Sequence, residues 1–336
     1  MLKKLAAIAV MGTMLAASAY AADPFTIQLK WVTQAQFAGY YVAKEKGFYN
    51  DVGLDVTVKA GGPDIAPEQV IAAGGADAIV DWMPSALAAR EKGTPLVNIA
   101  QVFQKSGLML TCRKDSGITD PKDFPGHTLG VWFSGNEYPF LNWMNKLGYK
   151  ILPEGQKSAD GVSVLKQGFN VDPLLQKQAD CISTMTYNEY GQLIEAGMKT
   201  EDLQTFKYED QGVATLEDGL YTLDKNLQDP AEADKLARFV KASMKGWDYA
   251  VAHPDEAVEI VLKNDETGAQ TKLHQTTMMQ EVAKLVGTNP RGTGYLDEAA
   301  YNRTVETLLT GGSAPIITKK PEGAWTHQVV EAAQKL

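Results

Sequence analysis

Four carboxylates and five aromatic rings stand out because they fall in short segments that each follow an apolar, strand-like run. The acids are Asp64, Asp81, Glu137 and Glu189; the rings are Trp31, Phe37, Trp82, Tyr138 and Tyr187. They occupy five loops, residues 31–37, 60–67, 81–85, 134–139 and 186–190, none of which contains Lys or Arg. Aromatic walls stack on a flat ring, adding roughly 0.5–1.5 kcal/mol per pair beyond area burial. A carboxylate accepts hydrogen bonds from an exocyclic amine, and from a ring N–H when the ring is protonated. Such charge-assisted bonds are about twice as strong as neutral ones. Backbone N–H groups alone are able to hold a sulfonate or nitrate, but four nearby acids oppose an anion. This chemistry favours a neutral or cationic nitrogen heterocycle.

The candidate ligand residues are Trp31, Phe37, Gly61, Gly62, Asp64, Asp81, Trp82, Ser85, Ser134, Gly135, Asn136, Glu137, Tyr187, Asn188 and Glu189. Each also has a structural role to weigh. Trp31 is placed to fill the core, and Asp64 to cap the helix that starts near Pro67. Asp81 and Trp82 point to opposite faces, so at most one of them reaches a cleft. Gly61 and Gly62 permit a tight turn, with close approach to a ligand as the alternative. Ser134 or Asn136 is expected as an N-cap, with Glu137 in the first turn where the helix dipole favours negative charge. Tyr187, Asn188 and Glu189 form either a contact or an ordinary exposed turn. Tyr40 and Tyr41, one turn into a helix, are expected in the core.

Signatures of catalysis are missing. His127, His253, His274 and His327 are widely spaced and form no metal-ligand pair. There is no G-x-S-x-G elbow or P-loop, and Gly292-Thr293-Gly294 lacks the third glycine and preceding strand of a dinucleotide fingerprint. No catalytic residue, metal or cofactor is expected, and the chain does not read as an enzyme.

The elements that must position these loops alternate between strand and helix signals, the pattern of an α/β fold with mainly parallel sheets. Strands are expected over 26–31, 54–59, 78–81, 96–103, 108–113, 128–133 and 181–186. Helices are expected to close at Gly47, Gly93 and Gly148, each preceded by basic residues. The final third is helical, over about 229–262, 273–285 and 298–309, with a break at His253-Pro254. In open α/β sheets ligands bind beyond the carboxyl ends of strands, and this rule selected the five loops.

The chain has 336 residues, a net charge of −9 and 44% hydrophobic residues, ordinary values for a globular protein. Lys3 and Lys4, an apolar run over 5–17 and Ala19-Tyr20-Ala21 form a signal peptide with cleavage after residue 21. The run is too short to span ~30 Å of hydrocarbon. Losing both lysines makes the charge more negative still, which argues against nucleic acid or an anionic membrane as partner. No direct membrane insertion is expected. Cys112 and Cys181 are the only cysteines; two buried thiols are expected, with one disulfide as the alternative that an exported protein permits.

FAGYYVAKEKGFY (residues 37–49), Asp81-Trp82-Met83-Pro84-Ser85, Arg90-Glu91-Lys92-Gly93 and Gly135-Asn136-Glu137 carry a family resemblance. The chain resembles periplasmic solute-binding proteins related to thiamine-pyrimidine biosynthesis proteins, a group that includes riboflavin binders and, more distantly, sulfonate and nitrate binders. The resemblance implies a two-lobed periplasmic binding protein fold of type II, with two crossover strands and the ligand gripped between the lobes. On that plan 22–107 plus 219–336 form lobe one and 108–218 lobe two, with crossovers near 106–110 and 213–220. A periplasmic monomer is expected, and the resemblance implies that it captures a thiamine-pyrimidine precursor or similar heteroaromatic solute. An ABC permease with ATP-binding subunits would receive it. Alternatives are a receptor for riboflavin, sulfonate or nitrate, a periplasmic sensor subunit, and a synthase. The synthase of this fold carries a cysteine-rich motif and a histidine in the segment matching 31–64, and this sequence has neither.

Overall fold

The computed structural model describes residues 22–310 and 315–336; the expected signal peptide lies outside the described residues. Eleven strands are described: β1 Asp23–Gln28, β2 Leu54–Lys59, β3 Ala78–Asp81, β4 Leu96–Gln101, β5 Leu108–Arg113, β6 Thr128–Val131, β7 Lys150–Pro153, β8 Gly161–Lys166, β9 Cys181–Met185, β10 Leu203–Lys207 and β11 Gly219–Leu223. They form two sheets, ordered β2-β1-β3-β11-β4 and β10-β5-β9-β6-β8-β7. Helices flank both, which gives the two-lobed α/β fold.

Both sheets are mixed, and the reason lies in the crossovers. β11 brings the chain back to the first sheet and inserts antiparallel between β3 and β4. β5 enters the second sheet antiparallel to β9. β10 also pairs antiparallel with β5, whereas β2-β1-β3 and β9-β6-β8-β7 are parallel, mostly joined through helices, with β7 and β8 linked by the loop 154–160. β1 and β4 end two or three residues before the sequence suggested, and β6 and β9 one or two. Trp31, Phe103, Trp132 and Thr186 therefore sit in loops rather than strands. β7, β8, β10 and β11 were not expected as strands. β7 is a largely exposed four-residue edge strand with a terminal proline, too short a run to stand out as a strand in the sequence.

Helix termini follow the sequence closely. Gly47, Gly93 and Gly148 all have the positive φ that closes a helix. The long C-terminal pattern is divided at His253 into helices Pro230–Ala252 and Pro254–Asn264. The capping assignments fared differently: neither Asp64, Ser134 nor Asn136 caps a helix. Ala66 and Glu137 occupy the two N-cap positions, without side-chain bonds.

The core of the first lobe is built on helix Ala38–Glu45 against helix Pro230–Ala252. Phe239 stacks on Phe25 at 4.3 Å and on Tyr49 at 5.4 Å. Tyr40 meets Trp247 edge-on, fully buried as expected. The helices touch backbone to backbone: a Cβ at Gly246 would lie 2.1 Å from the carbonyl oxygen of Gly39. Gly246→Val is therefore expected to destabilise the protein by about 3 kcal/mol, the upper end of ordinary overpacking, because backbone cannot rotate away. Thermal unfolding measures this; an unchanged midpoint would contradict the packing described.

Cys112 and Cys181 are joined in a disulfide, not left as two thiols. The register decides it, because antiparallel β5 and β9 place the two residues directly opposite each other, with Cα atoms 3.8 Å apart. Pairing register is invisible in a sequence that shows only two apolar strands.

Candidate functional site

A cleft of about 690 Å³ opens between the sheets, beyond the carboxyl ends of β1, β2, β3, β6, β8 and β9. Twelve of the fifteen candidates line it: Trp31, Gly62, Asp64, Trp82, Ser85, Ser134, Gly135, Asn136, Glu137, Tyr187, Asn188 and Glu189. Tyr138 is there too.

Three candidates do not line it. Phe37 ends the short 3-10 turn Ala35–Phe37 and is wholly buried in the core. Gly61 faces backbone, since a Cβ there would lie 2.3 Å from the Leu29 carbonyl oxygen. Asp81 is fully buried, with one oxygen 2.6 Å from Lys30 Nζ and the same oxygen accepting from the Trp82 backbone N–H. Of the adjacent pair, Trp82 is the one that reaches the cleft.

Sequence reasoning missed several lining residues. Lys30 lies one residue before the first loop, and Lys92 at a helix end, so the lining is not free of cations. Lys30 is engaged by Asp81, however, and its charge is neutralised there. Glu68 is a fourth acid in the wall alongside Asp64, Glu137 and Glu189. Its carboxyl is pushed up by burial first and by the neighbouring Asp81 second. Gln34, Gln36, Trp132, Phe169 and Met185 complete the set of note. Phe169 follows β8; had the alternation of Val162 and Val164 been read as a strand, the carboxyl-end rule would have selected it.

The two lobes meet around this cleft. Trp31 from the first lobe packs on Phe169 from the second at 4.6 Å between ring centroids, and Phe169 stacks on Trp132 at 6.2 Å. Ser85, on helix Met83–Glu91, faces Gly135, where a Cβ would lie 2.5 Å from the serine Oγ.

Glu189 starts helix Glu189–Glu195 and is buried. Its Oε2 accepts from the Met185 backbone N–H at 2.9 Å and its Oε1 from Asn188 Nδ2 at 2.7 Å. An ionised carboxylate offers about four lone-pair sites, so these two bonds leave acceptor capacity unused. Burial pushes its carboxyl up to about 7, against the lowering effect of those hydrogen bonds. Glu137 accepts from the Gly135 N–H at 2.8 Å and is likewise raised by burial. Ionising either is costly unless further hydrogen-bond donors offset it.

Behind the cleft lie the crossovers. Trp82 Nε1 and Gln36 Nε2, both from cleft-lining residues, donate to the two oxygens of Asp218 at 3.0 and 2.6 Å. Asp218 directly precedes β11 and adopts φ +45. Its neighbour Glu217 accepts from Ser106 Oγ and, at 2.9 Å, from the Gly107 backbone N–H. One carboxylate thus ties the outgoing crossover to the returning one. Burial pushes Glu217 up to about 8 and Asp218 up to about 7.

The sign of the pH effect follows. A buried acid raised above its unfolded value of about 4.3 retains, in the fold, a proton that the unfolded chain has released. Its contribution to stability is complete at low pH and is lost as pH rises through the folded value. Glu217→Gln removes that loss. The variant's stability relative to the parent is expected to grow between pH 5 and pH 9, by up to about 1.4 kcal/mol per pH unit inside the window. Urea denaturation across that range measures it, and a constant difference would contradict the protonated hinge acid.

Comparison with known proteins places this geometry. The family model described as NMT1/THI5 like matches residues 34–257. The formylaminopyrimidine-binding protein of Halalkalibacterium halodurans is 25% identical over 248 residues, 73% of this chain and 72% of that protein. The 4-amino-5-hydroxymethyl-2-methylpyrimidine phosphate synthase THI11 of Saccharomyces cerevisiae is 24% identical over 247 residues, 70% of this chain and 69% of that enzyme. Among solved structures, the periplasmic sulfonate-binding protein SsuA of Methylobacillus flagellatus superposes with a TM-score of 0.65 at 14% identity, covering 93% of this chain and 94% of that one. That likeness is one of fold. The family match runs over more than half of the chain, from the loop after β1 to the helices behind the cleft, and the chain belongs to the NMT1/THI5-like family.

Proposed function

We propose that this protein is the periplasmic solute receptor of an ABC importer, and that it captures a neutral or cationic nitrogen heterocycle of the aminopyrimidine class between its lobes. The observation that carries the reading is Glu189, a buried acid with unused acceptor sites in a wall of Trp31, Trp82, Trp132, Tyr138 and Tyr187. The acids Asp64, Glu68, Glu137 and Glu189 outnumber the lysines in the lining, which disfavours a sulfonate or nitrate. The formylaminopyrimidine-binding relative lends support to a pyrimidine ligand. A cleft of about 690 Å³ is within the ordinary range for small-molecule sites and also admits a larger ring system such as riboflavin.

Ligand contacts to both lobes exist together only in the closed form, so binding shifts the hinge equilibrium toward closure, and the permease selects that shape. Chemistry on the solute is not part of this reading: the lining residues include no His or Cys, although the yeast relative is named a synthase. Deleting the gene is expected to abolish uptake of labelled 4-amino-5-hydroxymethyl-2-methylpyrimidine at limiting concentration. Unchanged uptake with loss of a transcriptional response would overturn the importer in favour of a sensor subunit.

A further inference from the structure

Helix Lys272–Val286 belongs to the C-terminal part of the chain, after the return through β11, and reaches across to the second lobe. There His274 enters a chain of hydrogen bonds that ends in the cleft. Its Nδ1 lies 2.8 Å from Glu195 Oε1 and its Nε2 lies 2.9 Å from Asn188 Oδ1. The same Asn188 oxygen accepts from Gln192 Nε2 at 3.1 Å, which leaves the Asn188 NH2 turned to Glu189 Oε1 at 2.7 Å. His274, Asn188 and Glu189 are all buried, whereas Glu195 is exposed.

Donors and acceptors along this chain must match. Glu195 and the Asn188 oxygen are both acceptors, and a neutral imidazole has one N–H to give. Both ring nitrogens are satisfied only when both carry protons. If the ring loses one, either a lone pair faces an oxygen or the Asn188 amide turns over. A turned amide presents its oxygen to Glu189, which suits a protonated carboxyl and repels an ionised one.

We infer that His274 is a positioning residue for Glu189: bonded to Glu195 through one ring nitrogen and to Asn188 through the other, it fixes the Asn188 amide against Glu189 and so sets where that carboxyl stands in the cleft wall. The same contacts tie a helix of the first lobe to the ligand loop of the second. Of the charged groups near His274, Glu195 and, through Asn188, Glu189 face it from the second lobe. Lys272, on its own helix, is drawn away to Glu259 of helix Pro254–Asn264 at 2.5 Å. Contacts to the turn Ala35–Phe37 run through the neutral Gln275.

Only the ligand-binding consequence rests on the reading under Proposed function. Nitrogen-15 NMR of the mature chain, without ligand, tests the positioning alone. A slowly exchanging Asn188 NH2 is expected in the parent and a faster one in H274Q; equal exchange in both would overturn the inference. The second arm is calorimetry with 4-amino-5-hydroxymethyl-2-methylpyrimidine from pH 6 to pH 9. Parent affinity is expected to rise as Glu189 ionises. H274Q is expected to bind at least fivefold more weakly at pH 7, the effect of one mispositioned charge-assisted bond, with the midpoint of that rise displaced. A variant that keeps the parent's affinity and pH profile would overturn the positioning role. Should the probe fail to bind the parent, the ligand reading falls while the NMR result stands by itself.

Discussion

Gly135→Val is expected to leave both lobes folded while lowering affinity for a bound heterocycle at least a hundredfold. Gly135 adopts φ +99, which costs an L-residue with a side chain roughly 1–2 kcal/mol. The larger effect comes from its position against Ser85 of the other lobe, where a Cβ would lie 2.5 Å from the serine Oγ. A branched side chain there holds the lobes apart at the point where they meet. Ligand contacts from one wall are then lost together with those from the other, because no open form provides both. Calorimetry gives the affinity, and X-ray scattering with saturating ligand shows whether the variant remains extended. Binding equal to that of the parent would contradict the arrangement of the two lobes around the cleft.

The second large effect is expected at the acids. Glu189→Gln removes the charge from a buried acceptor and should weaken binding of an amine-bearing ring by roughly 1.5–3 kcal/mol, the range for hydrogen bonds to charged groups. The pH dependence has a definite sign. Glu189 is raised to about 7 by burial, so parent affinity for a donor ligand climbs as pH passes from 6 to 8, whereas the Gln variant shows no such climb. Glu137→Gln, at a half-exposed position with one backbone donor, is expected to lose about 1 kcal/mol. If both variants bind as the parent does, carboxylate recognition is wrong.

Much of this geometry was legible because strands announce themselves by apolar runs and the loops after them carry the chemistry. The rule that ligands bind beyond carboxyl strand ends brought together Trp31, Trp82, Glu137 and Glu189, which lie in four separate loops, at one cleft. It failed where a strand was not recognised: Phe169 was missed because β8 was. It also failed where a neighbour changed a residue's role. Asp81 sits at a strand end as expected, yet Lys30, 51 positions away in the chain, turns it into a buried ion pair. The disulfide depended on the register of β5 against β9, and the hinge acids Glu217 and Asp218 on where the returning crossover passes the outgoing one. His274 gave no signal, since its partners Asn188 and Glu195 are 86 and 79 positions distant. Pairings across such separations are set by tertiary packing, which local pattern does not encode.

The most direct test of the central claim is a calorimetric titration of the mature protein at pH 7.5 with 4-amino-5-hydroxymethyl-2-methylpyrimidine and, separately, with an alkyl sulfonate. The cleft's rings and ionised Glu189 predict one-to-one, saturable binding of the pyrimidine and none of the sulfonate. Saturable binding of the sulfonate with none of the pyrimidine would contradict the account.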